Sequence, residues 1–174
     1  MEQSFTYPAM SKGERYAAFL EDYRLLIDGE TDTVSLLANT SAALHEAFNY
    51  FWVGFYMVAE PEWLHLGPFQ GPVACTRIRR GRGVCGTAWS EAQTLVVPDV
   101  DQFPGHIACS SASRSEIVVP ILHPSDAHVM GVLDIDSDQL AAFDDTDRQG
   151  LELIVAALAK QLIVAQSCSE SSAG

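Results

Sequence analysis

Three cysteines, Cys75, Cys85 and Cys109, lie in or beside glycine-rich stretches in the middle of the 174-residue chain. The first two bracket a basic run, Cys75-Thr76-Arg77-Ile78-Arg79-Arg80-Gly81-Arg82-Gly83-Val84-Cys85-Gly86, which holds four of the ten Lys and Arg residues. The chain as a whole is acidic, with 23 Asp and Glu and a formal net charge of −13. Positive charge near a thiol favours the thiolate, which is the reactive form. The middle of the chain therefore reads as thiol redox chemistry. A lone buried cysteine is ordinarily a small hydrophobe, but three in this setting argue for reactivity. Zinc held by Cys75, Cys85, Cys109 and His106 is the other thiol chemistry. Separations of 10 and 24 lack the close ligand pairs of structural zinc.

A second constellation is acidic. Asp134 and Asp136 stand two apart in a stretch that reads as a strand, so they point to one face, while Leu133 and Ile135 point to the other. Two carboxylates on one face of a central strand are costly if dry and unpaired. A bound ammonium group would compensate them. Glu116 falls on the neighbouring strand and joins the same face. Like charges raise one another's pKa, which suits a general acid near neutral pH. Trp52 and Tyr56 share another strand face with Gly54 between them. A strand glycine there leaves space for a ligand between two rings. Ordinary core aromatics are the alternative.

Bulk properties narrow the class. The length fits one domain, and 48% apolar residues can bury a core. No run approaches eighteen apolar residues, and Met1 to Thr6 lacks the basic and apolar parts of a secretory signal. A cytoplasmic protein with no membrane partner is expected, whose cysteines stay reduced unless a disulfide is transient and catalytic. The acidic balance argues against nucleic acid.

The elements that must position these groups follow from periodicity. Ser11 to Glu14 has capping-box spacing, and Tyr16, Phe19, Leu20, Tyr23 and Ile27 share one helical face. A second helix opens at Thr31 or Asp32. The segment 50–58 reads as a strand, Glu60-Pro61-Glu62 as a turn, and 63–66 as the partner strand of a hairpin. Residues 67–86 read as loop, with a short helix from Thr87 to Glu91 and a short strand at 95–97. A second long loop, 99–113, contains Cys109. Strands at 115–122 and 129–135 form another hairpin. A last helix is capped near Asp144, with Leu151, Ile154, Val155, Leu158 and Leu162 on its inner face. The expected architecture is α+β: an antiparallel sheet, terminal helices on one face, and long loops roofing a pocket on the other. Residues 1–10 read as an N-terminal arm, 11–166 as the domain, and 167–174 as a frayed tail.

This pattern resembles the GAF domain, a small ligand-binding fold related to PAS, and within it the free methionine-(R)-sulfoxide reductases. The resemblance is carried by Trp52-Val53-Gly54-Phe55-Tyr56, Leu66-Gly67-Pro68-Phe69-Gln70-Gly71, the segment from Cys75 to Cys85, Gly105-His106-Ile107-Ala108-Cys109, Ser115-Glu116-Ile117-Val118-Val119-Pro120 and Gly131-Val132-Leu133-Asp134-Ile135-Asp136. It implies an oxidoreductase in which Cys109 attacks the sulfoxide and becomes a sulfenic acid. Cys75, with Cys85 as alternate or second relay, then resolves that acid to a disulfide. A thioredoxin-like reductant would regenerate the dithiol. The resemblance places Glu116, Asp134 and Asp136 at the substrate's ammonium and sulfoxide oxygen, and Trp52 and Tyr56 around its methyl-sulfinyl group. It implies neither an organic cofactor nor a metal, and family precedent points to a homodimer. Cys168 matches nothing in the pattern. The rival reading is a small-molecule-sensing GAF module without catalysis.

Overall fold

The computed structural model describes residues 4–105 and 111–172. Helix α1 (Lys12–Ile27) opens on the expected capping box: Ser11 Oγ accepts from the Glu14 amide, and the Glu14 carboxylate accepts from the Ser11 amide at 2.9 Å. Helix α2 (Thr33–Phe48) is capped by Asp32, which accepts from the Ser35 amide at 2.7 Å. Strands β1 (Trp52–Glu60) and β2 (Trp63–Gln70) form the first hairpin, followed by β3 (Arg77–Arg79) and helix α3 (Gly83–Glu91). Strand β4 (Leu95–Val97), a 3-10 turn (Val100–Gln102), β5 (Ser115–Leu122), β6 (Val129–Ser137) and helix α4 (Asp145–Ser172) complete the described chain.

The six strands form one antiparallel sheet in the order β3-β2-β1-β6-β5-β4. The second hairpin thus inserts β6 beside β1, at the centre. Strand alternation gives the sheet two faces with different tasks. Val53 and Phe55, Ile117, Val119 and Ile121, and Leu133 and Ile135 point to one side. There they meet Phe19, Tyr23, Leu36, Leu44, Leu151, Ile154, Leu158 and Leu162 of the three long helices. Trp52, Tyr56, Val118 and Val132 point to the other side, against Ile78, Val84, Cys85, Ala88 and Trp89.

Four features differ from the sequence expectation. The segment 67–86 is not all loop: β2 continues to Gln70, β3 follows, and α3 begins at Gly83 rather than Thr87. Gly86 serves close packing instead: a Cβ there would lie 2.3 Å from the Arg79 carbonyl oxygen. The N-terminal arm is docked, with Phe5 buried against the Phe19 ring and its amide bonded to Glu46. The tail is helical through Ser172, since α4 continues past the last core contact at Ala165. Finally, α4 is long and apolar enough to cross a bilayer by length and composition alone. Its apolar face lies in the core, which accounts for that composition.

Candidate active site

The sheet face opposite the three long helices carries the acidic constellation. On β6, Asp134 and Asp136 both point to this side, as their spacing requires. Register brings their partners alongside: Asp134 lies opposite Gly54 on β1 and Val118 on β5, and Asp136 lies between Trp52 and Glu116. Helix α3 crosses above, and its first turn sets Cys85 against the carboxylates, with Sγ 3.9 Å from Glu116 Oε1. Trp52, Tyr56, Cys85, Glu116, Asp134 and Asp136 thus line one pocket.

The structure brings six of the eight candidate residues together in this pocket. Cys75 stands just outside it, where the adjacent Val73 and Ala74 form part of the wall. Cys75 is held in a disulfide, whereas Cys85 keeps its thiol. Cys109 and its neighbour His106 lie outside the described residues. Other wall residues carried no sequence signal. Phe51, Ile78 and Val84 add apolar surface, and Ser113 donates from Oγ to the Asp136 carboxylate. Nothing in the serine-rich run 110–115 marks Ser113 over its neighbours; only the fold sets it opposite β6. The first turn of α3 also faces the pocket through Gly83 and Val84, and its N-cap, Arg82, makes no side-chain cap bond. Helix N-termini favour negative charge.

The electrostatics overturn one sequence inference. The arginine run was expected to favour a thiolate at its bordering cysteines. Arg77, Arg79, Arg80 and Arg82 are all exposed, and Arg80 lies 5.2 Å over the Trp89 ring. Cys85 is buried among acids instead. Burial first, then the charges of Asp134 and Glu116, push its thiol well above the ordinary range. Glu116 is raised strongly by burial and by Asp134 and Asp136. Asp134 is likewise raised by burial and by Asp136. Asp136 is pushed up to about 6 by burial, partly offset by the Ser113 hydrogen bond. One buried oxygen, Asp134 Oδ1, has no hydrogen-bond partner among the described residues. Buried polar atoms are rarely left so. The site is an acidic cage with one buried carboxylate oxygen unpaired among the described residues and with Arg82 at its wall.

Trp52 and Tyr56 also act differently from the expectation. The space above Gly54 is not left open for a ligand. A Cβ there would lie 2.7 Å from Trp52 Cη2 and 2.3 Å from Phe69 Cβ, so the indole itself fills the gap. It stacks between Phe69, at 5.3 Å, and Tyr56, at 6.1 Å. The polar ends of both residues hold the cysteine-bearing loop. Trp52 Nε1 donates to the Pro72 carbonyl at 3.0 Å, and the Tyr56 hydroxyl donates to the Cys75 carbonyl at 3.0 Å. The aromatic wall therefore also positions Cys75.

Comparison with known proteins agrees with this fold. The family model for the GAF domain matches residues 32–162. The chain is 55% identical over 145 residues to GAF domain-containing protein A of Dictyostelium discoideum, spanning 83% of this chain and 90% of that one. It is 49% identical over 154 residues to the free methionine-R-sulfoxide reductase of Escherichia coli K12, spanning 88% and 92%. Its fold matches the X-ray structure of the free methionine-R-sulfoxide reductase from Neisseria meningitidis in complex with its substrate, with a TM-score of 0.89 and 50% identity over 93% and 96% of the two chains. By sequence and by fold, the chain belongs to the free methionine-R-sulfoxide reductases, a family of GAF-domain proteins.

Proposed function

We propose that the protein reduces free L-methionine (R)-S-oxide to L-methionine through its cysteines. The observation that carries this reading is the acidic trio of buried Glu116 and Asp134 and half-buried Asp136, with Asp134 Oδ1 unpartnered among the described residues, beside a thiol and an aromatic wall. A free amino acid brings an ammonium group to such a cage. A methionine within a polypeptide brings an uncharged amide and would leave the buried carboxylates unpaired. The N-terminal turn of α3, which lines the pocket at Gly83 and Val84, suits the substrate carboxylate.

In the first step, the Cys109 thiolate attacks the sulfoxide sulfur. A protonated carboxyl of the trio gives its proton to the sulfoxide oxygen, which then passes to Cys109 as a sulfenic acid while methionine leaves. The raised pKa values of Glu116 and Asp134 supply such a proton at neutral pH. In the second step, the Cys75 thiol attacks the sulfenic sulfur, water departs, and a Cys75–Cys109 disulfide forms. A thioredoxin-like dithiol restores both thiols by exchange. Cys75 as resolving thiol is supported by its disulfide state and its hold on the pocket rim. Cys85, buried and kept neutral by its acidic neighbours, is a poor nucleophile in this state and suits the pocket wall.

The test is direct. Purified protein is incubated with racemic free methionine sulfoxide and dithiothreitol, and methionine is measured. Conversion should stop at half of the racemate and vanish in Cys109→Ser. Absence of methionine, or conversion that survives Cys109→Ser, defeats the reading.

A further inference from the structure

The pocket holds a donor set beyond the needs of an amino acid. Cys85 Sγ, a Glu116 oxygen and an Asp134 oxygen all lie within 4.8 Å of one another. All three side chains are buried, at 3%, 7% and 6% exposure. Ligands around a tetrahedral zinc, at about 2.3 Å for sulfur and 2.0–2.2 Å for oxygen, stand about 3.4–3.6 Å apart. The Cys85–Glu116 separation of 3.9 Å is close to that before any adjustment. The donors come from three elements, α3, β5 and β6, which the sheet and its covering helix already hold in place. Asp134 Oδ1 is buried and without a hydrogen-bond partner among the described residues, and a cation there would satisfy it.

We propose that Cys85, Glu116 and Asp134 bind a thiophilic divalent cation, Zn²⁺ as the representative, at a site overlapping that of the substrate ammonium. One Zn–S and two Zn–O bonds form. The thiol proton and the protons held by the carboxyls pass to solvent, and no electrons are transferred. The open fourth position is left to water. Such a metal takes no part in the reaction; it blocks the pocket. The overlap with substrate rests on the function proposed above, whereas the metal site itself rests on geometry alone.

The experiment uses the full chain in a Cys168→Ser background, without reductant, so that the Cys75 disulfide stays closed and Cys85 is the reactive thiol of interest. Zn²⁺ is titrated against a chromophoric chelator, and Co²⁺ is added separately to look for a sulfur-to-cobalt charge-transfer band. We expect one metal per chain and a thiolate band. Affinity should fall at least about tenfold in Cys85→Ser and in Asp134→Asn, since loss of even outer-shell support costs that much. The grouping of half-buried His123 with exposed Asp126 and His128 on the β5–β6 turn is the internal control. His123→Ala/His128→Ala should leave the pocket metal in place. Binding that survives Cys85→Ser, or that disappears with the histidines, overturns the site. The cobalt band on unmutated Cys85 guards against a variant that merely fails to fold; absence of the band also overturns it. Racemic methionine sulfoxide is then added to the zinc-loaded protein and should displace the metal. If zinc binds through Cys85 and the sulfoxide does not displace it, the metal site stands and the placement of the substrate falls.

Discussion

Replacing Asp136 by Asn should stabilise the substrate-free protein at neutral pH, and the gain should vanish in acid. Asp136 has its pKa raised in the fold from 3.8 to about 6. The folded state therefore keeps a proton that the unfolded chain releases earlier. Below about pH 4 both states are protonated and the site costs nothing. As pH rises through 6, the folded state must carry a buried charge, and stability is lost. A difference of roughly two units corresponds to about 3 kcal/mol. Asp136 keeps some contact with water, which screens its charge, so about half of that is expected, about 1.5 kcal/mol. Asn retains an oxygen to accept from Ser113 Oγ, so the hydrogen bond survives. Removing the charge also relieves Glu116 and Asp134, which it raises, and this adds to the gain. The assay is equilibrium urea unfolding of both proteins at pH 4, 6 and 8. The variant's midpoint should lie about 0.5 M higher at pH 8 and coincide with the parent at pH 4. A variant no more stable than the parent at pH 8, or a gap independent of pH, would refute the picture of a strained acidic cage.

Three other outcomes are expected. Gly54→Ala forces a methyl against Trp52 and Phe69; it should destabilise by about 1–3 kcal/mol in urea and shift Trp fluorescence, and a silent substitution would show the wall to be loose. Phe5→Ala should cost about 3–5 kcal/mol because that ring is buried against Phe19; a loss below 1 kcal/mol would return the first residues to the status of a loose arm. Reduced Cys75→Ser should release about one methionine per chain from methionine sulfoxide without added reductant, measured by rapid quench; loss of that burst would mean nucleophile and resolving thiol have been exchanged.

The fold was legible wherever periodicity was strong. The helix of Tyr16, Phe19, Tyr23 and Ile27 and the strands around Phe55, Ile117 and Ile135 each put one apolar set on one face, and burial followed. The segment 67–86 was harder. Glycines there suggested loop, yet Gly86 exists to let α3 approach β3, a packing role that local propensity does not reveal. Phe5 looked like part of an arm because docking depends on a cavity made by α1 and α2. The alternation of Asp134 and Asp136, and of Trp52 and Tyr56, did announce a shared face. It did not announce that Gly54 makes room for Trp52 rather than for a ligand.

The sequence by itself determined which candidate side chains share a face of the sheet. The carboxylates Asp134 and Asp136 and the aromatics Trp52 and Tyr56 stand at spacings that fix their strand face, because the side-chain period of a strand is two. Only the tertiary structure decided how they act on one another. Arg77, Arg79 and Arg80 are near in sequence but stand exposed outside the pocket, and Arg82 is exposed at its wall, whereas Glu116 and Asp134, 31 and 49 residues away, are near Cys85 in space and out of water. Electrostatic influence follows distance and burial rather than chain order. The thiol that the sequence marked as activated is therefore one that the fold keeps protonated.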